Sequence, residues 1–415
     1  TTLSSPRCPA ATTARRRSDA GASRRVAAGS MAGSSTTATS MTEAQLQPRA
    51  SRRRRVLPRV VIAAVAVLVV AVVAASRITL NYYVLSPGDA QSVGPLIKVP
   101  SDRAHRSDGT VLLTDVFLGQ VTALAYIPDL LSSDDQVVPT GELVGSGIPA
   151  SELTAQGYLE MAQAQAAAKT AALRRLGYRI EERDSGAVVE AVSSGTPAIG
   201  ALRVAEVITA VDGSATPTVC DFVRQLAGDA PGQKVTLSLE ENRFKADGTP
   251  VHGPSVTKTL RLVRRPAGVP ADTGCGGRPG RGFLGISAET QQDFTYPFPI
   301  TINTAGIGGP SAGLAMTLGL INTLSGGHLT GGRTIAATGT IDEFGNVGNV
   351  GGVAQKTIAV EQAGATVFLV PPPELAVARS KATPTLHVYA VSTLAQALSV
   401  LRKLGGDVPS GAPTR

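Results

Sequence analysis

A chain of 415 residues is long enough for two or three domains, and its 45 Gly and 27 Pro with no Trp describe a turn-rich, mixed α/β protein. The formal charge of +8 is local: Arg15, Arg16, Arg17, Arg24, Arg25, Arg52 to Arg55 and Arg59 all lie in the first sixty residues, with no aromatic residue among them, which argues against a base-stacking nucleic-acid surface. Cys8, Cys220, Cys275 and the four histidines lack metal-site spacing, so no metal is expected, and Cys220 and Cys275 are left either to pair or to stay single.

Residues 1–55 are rich in Ala, Ser, Thr and Arg without hydrophobic periodicity and read as a disordered basic tail, in which Met31 and Met41 are both candidate starts. Residues 56–77 follow as a candidate transmembrane anchor. From Val60 to Ala75 every residue is apolar, and with Val56 and Leu57 the run approaches the roughly 20 residues that span a bilayer. The preceding arginines assign the N-terminus to the cytoplasm and everything after Arg77 to the outside. A cleaved signal peptide is the competing reading, because "AVVAAS" offers small residues to a peptidase; both readings export the rest.

Residues 78–177 open strand-like and loop-rich. They end in a helix over "ASELTAQGYLEMAQAQAAAKTAALRRLGY", with Ser151 as cap, Glu152 in the first turn and Gly177 as stop. Its alanine-rich face predicts close packing rather than chemistry.

Residues 178–265 predict a β-rich unit. "GAVVEAV" reads as a strand, "SSGTPAIGALRVAEVITAVDG" as turn, short helix and strand, "TVCDFVRQLAG" as a helix, and "QKVTLSLEENR" and "VTKTLRLV" as two more strands. This order resembles a PDZ domain of the bacterial type, with Ala205 and Glu206 where the family usually has glycine and aspartate. The resemblance implies a polypeptide partner whose C-terminus is added as a strand to a sheet edge. The expected carboxylate-binding loop lies around Tyr178 to Ser185; a packing module that binds nothing is the alternative.

Residues 266–282 read as a linker, and "FLGISAET" and "PFPITINT" as strands opening a last domain over 283–405, before a tail at 406–415. In that domain "GGPSAG" runs into Leu314, Leu318, Ile321 and Leu324 at helical spacing. Ser311 therefore stands at a helix N-terminus, where unpaired N–H groups favour an oxyanion, and backbone donors around Gly309, Pro310 and Ser311 are candidates for that role. Locally, Ser311 reads equally as a nucleophile or as an ordinary helix cap. "GPSAG" also fits the hydrolase elbow, whose triad order is filled by Ser311, Asp342 and His387.

A second candidate base lies downstream. Lys356 falls in the first turn of a helix beginning near Val353, among Val353, Ile358 and Ala359. Burial and the positive helix end both disfavour its ammonium and suit it to general base catalysis. "GGPSAG", "IAATGTI" and "GNVGNVGGVAQKTIAVEQAGATVFLVP" together resemble the proteolytic domain of Lon-type serine peptidases. That resemblance implies a Ser–Lys dyad of Ser311 and Lys356, with Thr338 supporting it; Gly308 stands where many of these enzymes carry an acid.

The whole order resembles the membrane-anchored PDZ–Lon peptidases: an α+β, mixed α/β chain with an N-terminal transmembrane helix, a PDZ-like module and a C-terminal Lon-type domain. No phosphate loop occurs in these 415 residues, so cleavage of flexible or unfolded polypeptides without ATP or any cofactor is expected. A non-catalytic PDZ scaffold is the alternative, and homo-oligomeric assembly is left open.

Overall fold

The computed structural model describes residues 53–143, 150–245, 248–266, 274–277, 280–304 and 306–410. Most of the expected tail (residues 1–52) and residues 267–273 and 278–279 of the expected linker therefore lie outside the described residues. The chain divides into two units, Thr1–Ala63 and Ala64–Arg415. The first is described only where helix α1 (Arg53–Arg77) begins. Within α1, the 20 residues Pro58–Arg77 have a mean hydropathy of 2.6 and none of them is buried, which is long and apolar enough to cross a bilayer.

The principal elements of the second unit are β1 (Thr79–Ser92), β2 (Thr110–Thr122), β3 (Gln136–Pro139) and α2 (Ala150–Arg175). Then come β4 (Glu181–Val192), β5 (Val207–Val211), α3 (Val219–Leu226), β6 (Lys234–Glu240), β7 (Ser255–Arg261) and β8 (Ile286–Thr295). The last part holds α4 (Gly313–Leu324), β9 (Thr334–Ala337), α5 (Val353–Gln362), β10 (Val367–Val370), β11 (His387–Ala390) and α6 (Leu394–Lys403).

These strands, with the short Ser214–Ala215 paired to β5, form two six-stranded sheets whose membership does not follow the chain. The first runs β11-β10-β9-β2-β1-β3. Strand β9 lies parallel to β2 and β10, whereas β1 is antiparallel to β2 and β3. Residues 78–150, whose membership of the last domain the sequence leaves open, thus supply half of the sheet on which Thr334–Ala390 is built. The chain leaves that sheet after β3 and returns to it at β9.

Between those points it makes the second sheet, β7-β6-β5-β4-β8, which is antiparallel throughout. Strand β6 buries alternate residues, as a half-buried strand should, and Val235, Leu237 and Leu239 meet Phe222 and Leu226 of α3 in one core. Helix α3 is fixed at its start by a capping box between Thr218 and Asp221. Strand β8, read from sequence as the opening of the last domain, pairs instead with β4 at the sheet edge. Two further details differ from the sequence reading. Residues 194–201 form turns rather than a short helix, and "PFPITINT" contributes only Thr301–Ile302 as strand, paired with Ile97–Lys98. Pro297 and Pro299 cannot donate to a ladder, which explains the short pairing.

Helix α2 joins the two sheets. Met161, Ala164, Ala168, Ala171 and Ala172 enter the core formed with Leu314 and Leu318 of α4, and the small side chains let the helix lie close. Leu159 packs with Val188, Val204 and Val207 on the outer face of the second sheet. Ser151, read as the cap of this helix, falls inside it, since Ala150 is its first described residue.

A disulfide joins Cys220, in α3, to Cys275, across 55 residues. Replacing both cysteines by serine is expected to cost about 2–4 kcal/mol of stability, read as a lower denaturation midpoint under non-reducing conditions only. An unchanged midpoint would mean that the bridge constrains neither state.

Candidate active site

Three segments meet at the C-terminal end of β9. The first is the turn into α4, where Pro310–Ala312 make one turn of 3-10 helix. Gly309, just before it, has φ 86° and ψ 157°, a conformation that glycine adopts without strain. The turn also lies against α2: the Gly309 N–H donates to the Gly157 carbonyl at 2.7 Å, and a Cβ added at Gly308 would lie 3.2 Å from the Gly157 carbonyl carbon. Space for a side chain at 308, where many Lon-type enzymes carry an acid by the resemblance above, is therefore tight.

The second segment is the end of β9 itself. Thr338 is fully buried and its N–H donates to the Leu369 carbonyl at 3.0 Å. The carbonyl of half-buried Ser311 accepts the Gly339 N–H at 2.9 Å and the Thr338 hydroxyl at 3.3 Å, while the Gly339 carbonyl accepts the Leu314 N–H at 3.1 Å. These bonds lock the serine turn to the strand end.

The third is α5, entered through Gly352 in the left-handed conformation at φ 68°, where a Cβ would come within 2.8 Å of the Val116 side chain. Lys356, in the first turn, is only 3% exposed, and its Nζ donates to Thr338 Oγ1 at 3.4 Å. Thr338 thus touches both other residues, accepting from the lysine and donating to the serine carbonyl. Burial lowers Lys356 from the ordinary lysine value of 10.5 to about 8, and the carboxylates of Asp115 and Glu374 act in the opposite sense. A substantial neutral fraction is therefore present at mildly alkaline pH.

Not every residue singled out in the sequence can take the role considered for it. The Gly309 amide is committed to α2 and Pro310 has no N–H, which leaves Ser311 as the backbone donor of the three. Asp342 is occupied by a turn, accepting from the Phe344 N–H and from Asn346. His387 is exposed at the start of β11, level with Val367 and hence with Ile335 of β9. Thr338 lies three residues further along, roughly 10 Å at strand rise, so the structure does not assemble Ser311, Asp342 and His387 as a triad.

Other residues escaped the sequence reading. Asp115 and Glu374 flank the lysine from β2 and from the turn after β10, far apart in the chain. A cavity of about 340 Å³ runs between Val219, Phe222, Val223 and Leu226 of α3 and the stretch Gly282–Ala288, beside the glycine-bounded apolar loop "GFLGIS". Another, of about 540 Å³, is lined by Arg183, Asp184 and Ser185 of the loop expected from sequence.

A PDZ domain family model matches residues 175–247, and the model for the Lon protease (S16) C-terminal proteolytic domain matches residues 303–401, a span containing Ser311, Thr338 and Lys356. No curated protein matches the chain. Among solved structures it is similar to the PDZ domain of the SdrC-like protein from Listeria monocytogenes, at 18% identity over 25% of this chain and 87% of that one, with a TM-score of 0.19. The corresponding domain from Listeria innocua gives 18% identity over 25% and 92%, with a TM-score of 0.18. From the two family matches, the chain carries a PDZ domain followed by a Lon protease S16 C-terminal proteolytic domain.

Proposed function

We propose that the protein is a membrane-tethered serine endopeptidase that cleaves flexible or unfolded polypeptides without ATP, with Ser311 as nucleophile and Lys356 as general base. The observation that carries this reading is the buried Lys356, lowered to about 8 and bonded to the threonine that holds the Ser311 carbonyl. Neutral Lys356 takes the Ser311 hydroxyl proton as Oγ attacks the scissile carbonyl carbon. The C–N bond then breaks as the resulting ammonium gives its proton to the leaving amine. Water, deprotonated by Lys356, hydrolyses the acyl-enzyme and regenerates the serine. Thr338, by accepting one Nζ–H, restricts rotation of the amine. The Ser311 N–H supports the oxyanion role.

The groove between α3 and β8 supports a role for the PDZ domain in holding substrate C-termini, since Gly282–Gly285 sits at its end as a carboxylate-binding loop would. Helix α1 and the arginines before it support a retained anchor with the catalytic part outside, and a disulfide suits that oxidising side.

In detergent, the full chain should degrade an unfolded protein, and Ser311→Ala and Lys356→Ala should each lower the rate by about three orders of magnitude or more, whereas His387→Ala leaves it unchanged. Activity surviving Lys356→Ala would remove the dyad.

The lysine also sets a pH dependence. Activity should rise about tenfold per pH unit towards pH 8 and level above it, because only the unprotonated amine accepts the proton. The same lowering penalises the folded state below pH 8, by about 3 kcal/mol at neutrality, and the penalty fades between pH 8 and 10.5 as the unfolded lysine also loses its proton. Lys356→Met should therefore be inactive yet more stable than the parent at pH 7, with the difference in melting temperature shrinking as pH rises.

Full chain expressed in cells should stay with membranes through an alkaline carbonate wash, and its C-terminal part should be digested by protease added outside. Recovery as a shortened, freely soluble species would instead indicate a cleaved leader.

A further inference from the structure

The groove beside α3 does not stop at Ala288. A second cavity, of about 470 Å³, begins at Glu289 and is lined by Glu289, Thr290, Gln291, Gln292 and Phe294 of β8. Consecutive residues of a strand point to opposite faces, so a cavity touching all of them reaches around the outer side of β8, and through Glu190 of β4 it also extends over the face beneath α2. The outer side carries no described strand, because β8 ends the sheet and its described partner is β4 alone. The far wall of the cavity is α2 together with Pro310 and Ile341–Glu343. The free edge of β8 therefore starts beside Gly282–Gly285 and passes a cavity that Pro310, the residue before Ser311, also lines.

The charges along this edge change sign. Arg265 and Arg281 line the groove near the loop, with the Arg265 guanidinium 4.6 Å from the centre of the Phe283 ring. The second cavity is acidic, walled by Glu160 from α2, Glu190 from β4 and Glu289 from β8, with Asp342 and Glu343 at its rim. Glu190 and Glu289 share a hydrogen bond, and burial, followed by the Glu289 charge, pushes Glu190 up to about 7. Two carboxyl groups held together in a cavity favour a cation between them. A wall of carboxylates suits a lysine or arginine side chain of a bound polypeptide.

Building on the peptidase reading above, we infer that β8 is a ruler: a substrate tail adds to its free edge with the terminal carboxylate at Gly282–Gly285 and basic residues upstream at Glu160, Glu190 and Glu289, and is cut at a fixed distance from its C-terminus. Antiparallel addition pairs residues one to one. With the terminal residue beside Ile286, residues roughly three to eight positions upstream lie beside 289–294, so Ser311 releases a C-terminal peptide of about five to ten residues.

The test uses full-length protein and unstructured peptides carrying lysines upstream of a free carboxyl end, with products identified by mass spectrometry. The cut should fall about five to ten residues from the end, and lengthening the tail at its C-terminus should move the cut along the sequence by the same number of residues. Amidating the terminus, or changing the upstream lysines to glutamate, should each lower kcat/KM about tenfold, and Glu289→Gln should shrink the lysine preference. A cut that stays at the same sequence position when the tail is lengthened overturns the ruler. An unfolded protein digested in parallel reports on the peptidase reading separately. If nothing is cleaved there, binding of the labelled peptides to the Ser311→Ala chain still decides the matter. Preference for free over amidated ends and for lysine over glutamate supports the inference, and equal binding sinks it.

Discussion

The site depends on where one carbonyl group is held. The Ser311 carbonyl accepts from both the Gly339 N–H and the Thr338 hydroxyl, so the turn carrying the serine is fixed to the end of a buried strand. Thr338 in turn accepts from Lys356, which makes a single small hydroxyl the joint between two helices. Only a residue with one donor and free lone pairs fits this place. The lysine is then kept out of water by the same packing that seats the threonine, and its lowered affinity for protons is a consequence of position rather than of a special neighbour. Asp115 and Glu374 moderate that lowering, because without them burial alone would carry the amine further from its ordinary value.

Helix α2 gives the fold its second constraint. Its alanine face lies against α4 in one core, its Leu159 against the outer face of the PDZ sheet, and its Gly157 carbonyl holds the turn before Ser311. The PDZ sheet and the serine turn thus share a rigid neighbour. Movement of either one is opposed by the apolar contacts of α2 with the other.

Much of the candidate site was legible because its parts are local. Ser311 is marked by glycines and a proline ahead of an apolar helix and Lys356 by its place in a first helical turn, whereas Thr338 came only with the resemblance of "IAATGTI" to the Lon-type domain. Each of the first two signals spans a few residues and follows from backbone rules. The charges around the lysine were not legible in the same way. Asp115 belongs to a strand more than two hundred residues upstream, and nothing in its own neighbourhood announces what it faces. The place of "GFLGIS" was hidden for a related reason, since it lies after the other strands in the chain but beside the first of them in space.

The sequence by itself determined the elements and their chemistry: which segments are apolar on one face, where helices start, and that a serine and a lysine stand at two helix entrances. Periodicity and turn residues act over short distances, so they need no knowledge of the rest of the chain. Only the tertiary structure decided which strands are neighbours, because pairing joins backbone groups that carry no sequence address. It put Thr79–Pro139 beside β9 and moved β8 to the edge of the PDZ sheet. It also excluded His387 by leaving it at the far end of the parallel strands, and buried Lys356 where its ammonium is disfavoured.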